Sequence, residues 1–475
     1  VIKNPHAQHR IKLWIGLVLS LLVLLLPVSA FPLENLSVIE QRVIAIFVFA
    51  ALFWILEPIP IYATSILIIV LELVLISDSG FVAFQGEGVV QTELLSHKEI
   101  MATMASPIIL LFLGGFFLAL AATKYRLDVN LARVLLRPFG DQPRWVMLGL
   151  MVITALFSMF MSNTATTAMM LSILVPVLKA FPKHDRGRTG LALSIPVAAN
   201  LGGIGTPIGT PPNAIALKYL TGAEGISFGQ WMVFGVPFVV VTLLLSWVLL
   251  LWYFPFETRK VNLAIKGKFL QTPKAKVVYL TFVVTIFLWL FDFLHGMNAY
   301  IVAMIPVGIF LSFGIINKED LKKLSWDVLW LVSGGIALGL ALDKSGLASH
   351  VIAAIPFADF SPYLVLVGAA AIGLLMANFM SNTASANLLL PLLASLGVSM
   401  PNLDQIGGST LLILAVTMAV SLGMALPIST PPNALAHATG VIQTKDLAKQ
   451  GISVGLVGLV IVFVTIYLLR ITTFI

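Results

Sequence analysis

The sequence contains no cysteine. A disulfide framework, a thiolate nucleophile and a cysteine-ligated metal are all excluded. Charge is also scarce. Only 10% of the 475 residues are Asp, Glu, Lys or Arg, against about 25% in soluble domains. The seven histidines are scattered and no His-Glu-x-x-His pair occurs, so nothing suggests a metal-assisted hydrolase. Hydrophobic residues make up 59% of the chain before its 36 glycines are counted. A soluble enzyme and a disordered chain are therefore both ruled out. The net charge of +7 does not point to nucleic acid, because the basic residues sit in short loops between apolar runs.

Those runs define the fold class: an all-α polytopic membrane protein. A bilayer span needs about 20 apolar residues. Eleven transmembrane runs are expected, at 13–31, 40–57, 62–78, 104–124, 190–220, 229–254, 275–294, 298–316, 326–344, 408–440 and 450–472. Two further apolar regions, 144–181 and 362–397, are each interrupted by a polar Ser-Asn-Thr. Each is too long for one span and polar at its middle, which suits a re-entrant hairpin. Val28-Ser29-Ala30 has the form of a leader cleavage site. The basic flank of Lys3, Arg10 and Lys12 equally suits a first span with a cytoplasmic N-terminus.

Loop charges orient the spans. With the N-terminus inside, the cytoplasmic loops hold Lys124, Arg126, Arg133, Arg137, Lys183, Arg186, Arg259, Lys260, Lys266, Lys318, Lys322 and Lys445. Glu34, Glu87, Glu93, Asp359 and Asp404 fall on the opposite side. The C-terminus is then outside. The first hairpin enters from the cytoplasm and the second from outside.

The chain also repeats itself. Met161-Ser162-Asn163-Thr164-Ala165 recurs as Met380-Ser381-Asn382-Thr383-Ala384, 219 residues on. Ile208-Gly209-Thr210-Pro211-Pro212-Asn213-Ala214 recurs as Ile428-Ser429-Thr430-Pro431-Pro432-Asn433-Ala434, 220 residues on. Gly114-Gly115 recurs as Gly334-Gly335 in the same register. The organisation is an N-terminal span at 1–35, a first repeat at 36–256 and a second at 257–475. Five spans and one hairpin in each half make the repeats face opposite ways, a recurrent plan of secondary transporters.

The motifs carry the chemistry. Proline lacks an N–H and clashes with the preceding turn, so Thr-Pro-Pro-Asn breaks its helix. The break leaves carbonyls unpaired on one half-helix and N–H groups on the other. Lipid satisfies neither, so such backbone lines a cavity or is buried in protein. The N–H end suits an anion and the carbonyl end a hard cation. Read singly, Ser-Asn-Thr is a helix cap and Pro-Pro a kink. Read as matched pairs, they converge on a shared site.

The paired motifs resemble those of the divalent anion:sodium symporter family of di- and tricarboxylate transporters. The likeness includes Leu113-Gly114-Gly115-Phe116, Ser162-Asn163-Thr164-Ala165-Thr166 and Ser381-Asn382-Thr383-Ala384-Ser385, and covers nearly the whole chain. It implies a homodimer in the bilayer of a bacterial inner or plasma membrane, with scaffold and transport domains and elevator-type alternating access. It implies a carrier rather than an enzyme, with sodium as the coupling ion and no other cofactor. The expected substrates are dicarboxylates of the succinate, malate, fumarate and 2-oxoglutarate class. Their carboxylates would meet Asn163, Thr164, Asn382 and Thr383, with Thr210, Pro211, Thr430 and Pro431 beside them. One sodium site would use Ser158, Ser162, Asn163 and Gly209. The other would use Ala377, Met380, Asn382 and Ser429. Ala377 stands where the first repeat has Ser158. If that position supplies a hydroxyl, the second site is weakened; if it supplies only a carbonyl, nothing is lost.

No Lys or Arg lies within either motif, so a buried dianion would need bound cations. Lys218 and His437 follow the two breaks at similar distances. They either snorkel to the interface or stand in for sodium, which would make the protein a sodium-independent exchanger. An anion channel is a remoter alternative. Glu72 lies inside the third apolar run but outside both motifs, which suits a dimer contact or a buried hydrogen bond.

Overall fold

A computed structural model of the chain describes residues 5–86, 89–178, 181–182, 184–220, 225–260, 268–354, 360–472 and 474. Lys3, Glu87, Lys183, Lys266 and Asp359 lie outside the described residues. The described residues are helical, with no strand beyond an isolated bridge between Ser77 and Leu95. Among the described residues, seven helices are long and apolar enough to cross a membrane, by length and composition. Their outer faces are apolar too. Phe228–Tyr253 buries Trp231, Phe234 and Phe238 and leaves Val233, Val240, Leu244, Val248 and Trp252 exposed. Such a belt is stable against lipid and would aggregate in water.

Polar caps set many of the helix ends. Ser37 with Glu40, and Ser227 with Gln230, form reciprocal capping boxes. Ser106, before Pro107, accepts from the Ile109 N–H, and Thr272, before Pro273, accepts from that of Ala275.

Several expected boundaries shift. The first run is a helix over Pro5–Leu25, and Val28–Ala30 is a separate 3-10 turn. The run at 104–124 becomes His97–Ala102, a 3-10 turn, and Pro107–Lys124, because Pro107 opens a new helix. Short helices arise where the sequence reading had only loops or span ends, the longest being Leu127–Leu136 and Leu347–Ala353. The first alternates buried Asp128, Asn130, Ala132 and Leu136 with more exposed positions, too polar for an apolar-run criterion.

Both polar-centred regions are helix-break-helix units. Pro143–Ser158 is followed by Asn163–Leu178, and Pro362–Phe379 by Asn382–Ser399. Both Thr-Pro-Pro-Asn regions are broken helices, Gly187–Gly203 with Pro211–Leu217 and Gly408–Ser421 with Pro431–Ala438.

The packing has an internal correspondence. Both arms of each helix-break-helix unit rest on the first half of the broken helix in the same repeat. The second half of each broken helix crosses to the other repeat: Pro211–Leu217 packs on Asn382–Ser399, and Pro431–Ala438 packs on Asn163–Leu178. The framework pairs in the same way. Ile61–Leu75 lies along Trp326–Lys344, and Ala299–Ser312 lies along Pro107–Lys124. The repeated Gly-Gly explains how closely. A methyl on Gly334 would meet Ser65, and one on Gly114 would meet the Ala303 carbonyl. Only glycine permits these approaches.

Candidate functional site

Each motif has a defined local role. In Ser-Asn-Thr the serine is a cap. Ser162 accepts from the Ala165 N–H at 3.2 Å, and Ser381 from the Ala384 N–H at 3.1 Å. The cap reading is therefore correct for the serines. It places Asn163 and Asn382 at the first helical position of each second arm.

In Thr-Pro-Pro-Asn the threonine holds extended backbone, with φ −144° at Thr210 and −143° at Thr430, and proline opens the next half-helix. The asparagine then reaches back over the break. Asn213 Nδ2 donates to the carbonyls of Gly203, Ile204 and Thr206 at 3.1, 3.2 and 2.8 Å. Asn433 Nδ2 donates to those of Met424 and Leu426 at 2.7 and 3.1 Å. The carbonyls orphaned by the break are satisfied by the motif that causes it. The sequence reading gave these two asparagines no role, although their recurrence after each proline pair was the available signal.

Tips and breaks converge on one cavity of about 480 Å³. All eight expected substrate residues line it: Asn163, Thr164, Thr210, Pro211, Asn382, Thr383, Thr430 and Pro431. Ser162, Gly209 and Ser429 line it as well. Ser158, Ala377 and Met380 are buried behind it. Residues of Ile61–Leu75, Pro107–Lys124 and Trp326–Lys344 close the other wall, among them Tyr62, Phe112, Phe116 and Leu331. Asn200 is a wall residue that sequence reasoning missed. Its Nδ2 donates to Thr430 Oγ1 at 3.1 Å and Asn433 Oδ1 at 3.2 Å, tying the two repeats together at the cavity.

Among the described residues the lining contains no Lys, Arg or His, and its two charged members, Glu57 and Asp327, are acids. The expected substitute cations are elsewhere. Lys218 Nζ donates to the Ile336 carbonyl at 2.8 Å and lies 5.2 Å from the centre of the Tyr219 ring. His437 Nε2 pairs with Thr444 Oγ1 at 3.2 Å. The helix carries both side chains away from the cavity, so neither supplies a fixed positive charge there. Glu72 is fully buried inside the protomer, and neither carboxyl oxygen has a hydrogen-bond partner among the described residues. The expected buried hydrogen bond is not formed.

Oxygen atoms cluster behind the first tip. Ser158 Oγ lies 2.5 Å from Asn163 Oδ1 and 2.7 Å from the Ala199 carbonyl. One hydroxyl hydrogen serves one of these acceptors at a time. Three converging neutral oxygens fit a hard monovalent cation, the use made of unwound backbone in such carriers. Behind the second tip, Asn382 Oδ1 is buried with no partner among the described residues. Ser429 Oγ donates to the Asn378 carbonyl at 2.8 Å and accepts from the Leu426 N–H at 3.1 Å. The orphaned amide oxygen fits a cation as well.

Known proteins share this plan. The citrate transporter family model matches residues 51–407. The sodium-dependent dicarboxylate transporter SdcS of Staphylococcus saprophyticus is 32% identical over 98% of this chain and 93% of its own length. The protein of the same name from Staphylococcus aureus is 32% identical over 98% of this chain and 92% of its own. Among solved structures, the YdaH transporter of Alcanivorax borkumensis superposes with a TM-score of 0.50 at 15% identity, covering 78% of this chain and 88% of that one. That likeness concerns the fold alone. A multi-pass helical membrane protein whose relatives are carriers is a transporter and not an enzyme. The chain belongs to the citrate transporter family and is of the divalent anion:sodium symporter type whose paired motifs it bears.

Proposed function

We propose that this protein carries dicarboxylates of the succinate, malate and fumarate class across the membrane, coupled to sodium. The observation that carries the reading is a cavity lined by both tips and both breaks without one Lys, Arg or His. A dianion there has no fixed counter-charge, and burying it unpaired is prohibitive. Cations bound behind the tips supply that charge and tie transport to their gradient. The relatives' naming as sodium-dependent dicarboxylate transporters supports the same reading.

In this reading Asn163, Thr164, Asn382 and Thr383 donate to the substrate carboxylates, and the half-helix starts at Thr210-Pro211 and Thr430-Pro431 line the cavity beside them with the positive ends of their dipoles. Ser158, Ser162, Asn163 and Gly209 hold one sodium; Ala377, Met380, Asn382 and Ser429 hold the other. The helix-break-helix units are re-entrant hairpins in two inverted repeats, 36–256 and 257–475. Eleven helices span, with the N-terminus cytoplasmic and the C-terminus outside, in the plasma membrane of a bacterium. The hairpins and broken helices form the moving body of an elevator, and the remaining helices form the framework of a homodimer.

Asymmetry between the tips supports an inward-open conformation. Asn382–Ser399 packs on the framework helices Trp326–Lys344 and Leu347–Ala353, while Asn163–Leu178 has no comparable packing on Pro107–Lys124 among the described residues. Glu57 and Asp327, which lie at cytoplasmic ends in this topology, line the open cavity.

The test is labelled succinate uptake into proteoliposomes, with and without an inward sodium gradient and with and without unlabelled succinate inside. Uptake that needs external sodium and no internal substrate is expected. Uptake that ignores sodium and needs internal substrate would replace symport by exchange.

A further inference from the structure

Glu72 lies on the Ile61–Leu75 helix, outside the cavity. Its helix runs along Trp326–Lys344 with Ser65 against Gly334. Farther along that second helix, Gly339 faces the end of the first broken helix. A methyl on Gly339 would collide with the Tyr219 hydroxyl and come within 2.8 Å of Lys218 Nζ. The Lys218 ammonium interacts electrostatically with Glu72 and with Asp343, without a direct bond to Glu72. The Tyr219 hydroxyl is buried and has no partner among the described residues.

The other charges on the elements around Glu72 are engaged or distant. Arg42 donates to the carbonyls of Leu75 and Phe84, at 2.8 and 2.6 Å. Glu40 pairs with His350, His97 with Asp78, and Lys344 with Glu99. Lys98 is exposed, and Asp327 lines the cavity at the far end of its helix. Lys218 is thus the cation that acts on Glu72.

A carboxylate with no hydrogen bond in a membrane interior is untenable as an anion and neutralises. We propose that Glu72 is a proton-binding site of the carrier: it holds a proton in this conformation, and losing it creates a carboxylate that draws the Lys218 ammonium from the Ile336 carbonyl. The balance is one proton. Glu72–COOH gives Glu72–COO⁻ and H⁺ to solvent, and Lys218 stays an ammonium. The consequence for transport rests on the elevator reading above. Lys218 ends a helix of the moving body, and Glu72 belongs to the framework. Once paired, the two clamp one to the other, and a buried pair must break before the body moves. Acid therefore speeds transport and alkali slows it.

Two measurements test this. Infrared difference spectroscopy on the purified protein in lipid reads the protonated-carboxyl carbonyl band. Uptake of fumarate, which stays a dianion, is followed in proteoliposomes from about pH 6 to about pH 8. The wild type should show the band and lose about tenfold in rate across that range, one protonation step limiting the rate. Glu72→Gln should lack the band, keep the acid rate and vary less than about twofold. Lys218→Met should lose the slope and keep the band to higher pH, since no cation then favours the carboxylate. It also serves if Glu72→Gln fails to insert. A band unchanged in Glu72→Gln, or an unchanged pH slope in either variant, overturns the proposal. The band is read without substrate, so it decides the proton site even if fumarate is not carried.

Discussion

At the first tip, Ser158 Oγ stands between Asn163 Oδ1 and the Ala199 carbonyl. At the second, the same position is Ala377, and Asn382 Oδ1 is buried with no partner among the described residues. The backbones of the two breaks are nearly superposable in angle, with Thr210 and Thr430 differing by 1–2° in φ and ψ. Their hydroxyls are not equivalent. Thr430 accepts from the Asn433 N–H at 3.3 Å and from Asn200 at 3.1 Å, while Thr210 makes no cap bond. The place of Asn200 in the second repeat is Val420. Duplication preserved the backbone plan, and side chains then divided the work. Thr430 is committed to holding its break together, and Thr210 is left with its hydroxyl for a ligand. Thr164 is exposed and Thr383 buried, so the tips also differ in access.

The largest expected effect tests what the tips share. Asn163→Ala and Asn382→Ala should each cut dicarboxylate uptake by roughly 100-fold, the scale of losing hydrogen bonds to charged groups in a dry site. Both proteins should still elute as folded species from size-exclusion chromatography. Wild-type uptake in either variant would remove that tip from the site.

Ser158→Ala makes the first tip resemble the second. Apparent sodium affinity should fall about tenfold, the worth of one good hydrogen-bonding ligand. Maximal uptake at saturating sodium should change little. A sodium curve that does not move would mean the cluster at Ser158 is packing and not a cation site. Ala377→Ser is the reciprocal change and should sharpen sodium affinity slightly or not at all.

The breaks differ in how many carbonyls each asparagine covers. Asn213→Ala exposes three and Asn433→Ala two. Each should destabilise the protein by about 1–3 kcal/mol, and by similar amounts, because Asn433 Oδ1 also accepts from Asn200. Thermal unfolding in detergent reads the two losses, and an unchanged midpoint in either variant would mean that its break does not depend on its asparagine.

The smallest effect lies away from the tips and breaks. His350 joins Glu40 at 2.9 Å and the Glu34 carbonyl at 2.8 Å, and the hydrogen bond to Glu40 raises the His350 pKa. A raised histidine contributes stability below its ordinary pKa and loses it as pH climbs through the folded value. Thermal stability should therefore decline above about pH 6.5, by under about 1 kcal/mol for a partly exposed pair. His350→Gln should flatten that decline. An unchanged decline would place the titration elsewhere.

Much of this was legible from residues alone. Apolar run length located the helices, because the bilayer sets a minimum length and admits few charges. The repeated Ser-Asn-Thr and Thr-Pro-Pro-Asn located the breaks, because proline in an apolar helix has a single physical consequence. What escaped was whatever depended on a neighbour from afar in the chain. Leu127–Leu136 is too polar for a run-length criterion and is held by its one buried face. Lys218 and His437 follow the motifs closely, yet the half-helix turns both from the cavity toward other partners.

The sequence by itself determined the membrane class, the duplication, the two breaks and the polar residues that meet at them, since each is a property of local pattern and spacing. Only the tertiary structure decided that both tips and both breaks line one cavity and that Asn200 bridges the repeats. Those facts arise from the second half of each broken helix packing on the opposite repeat. A crossing of that kind joins residues far apart in the chain, such as Asn200 and Thr430, and leaves no trace in any local window.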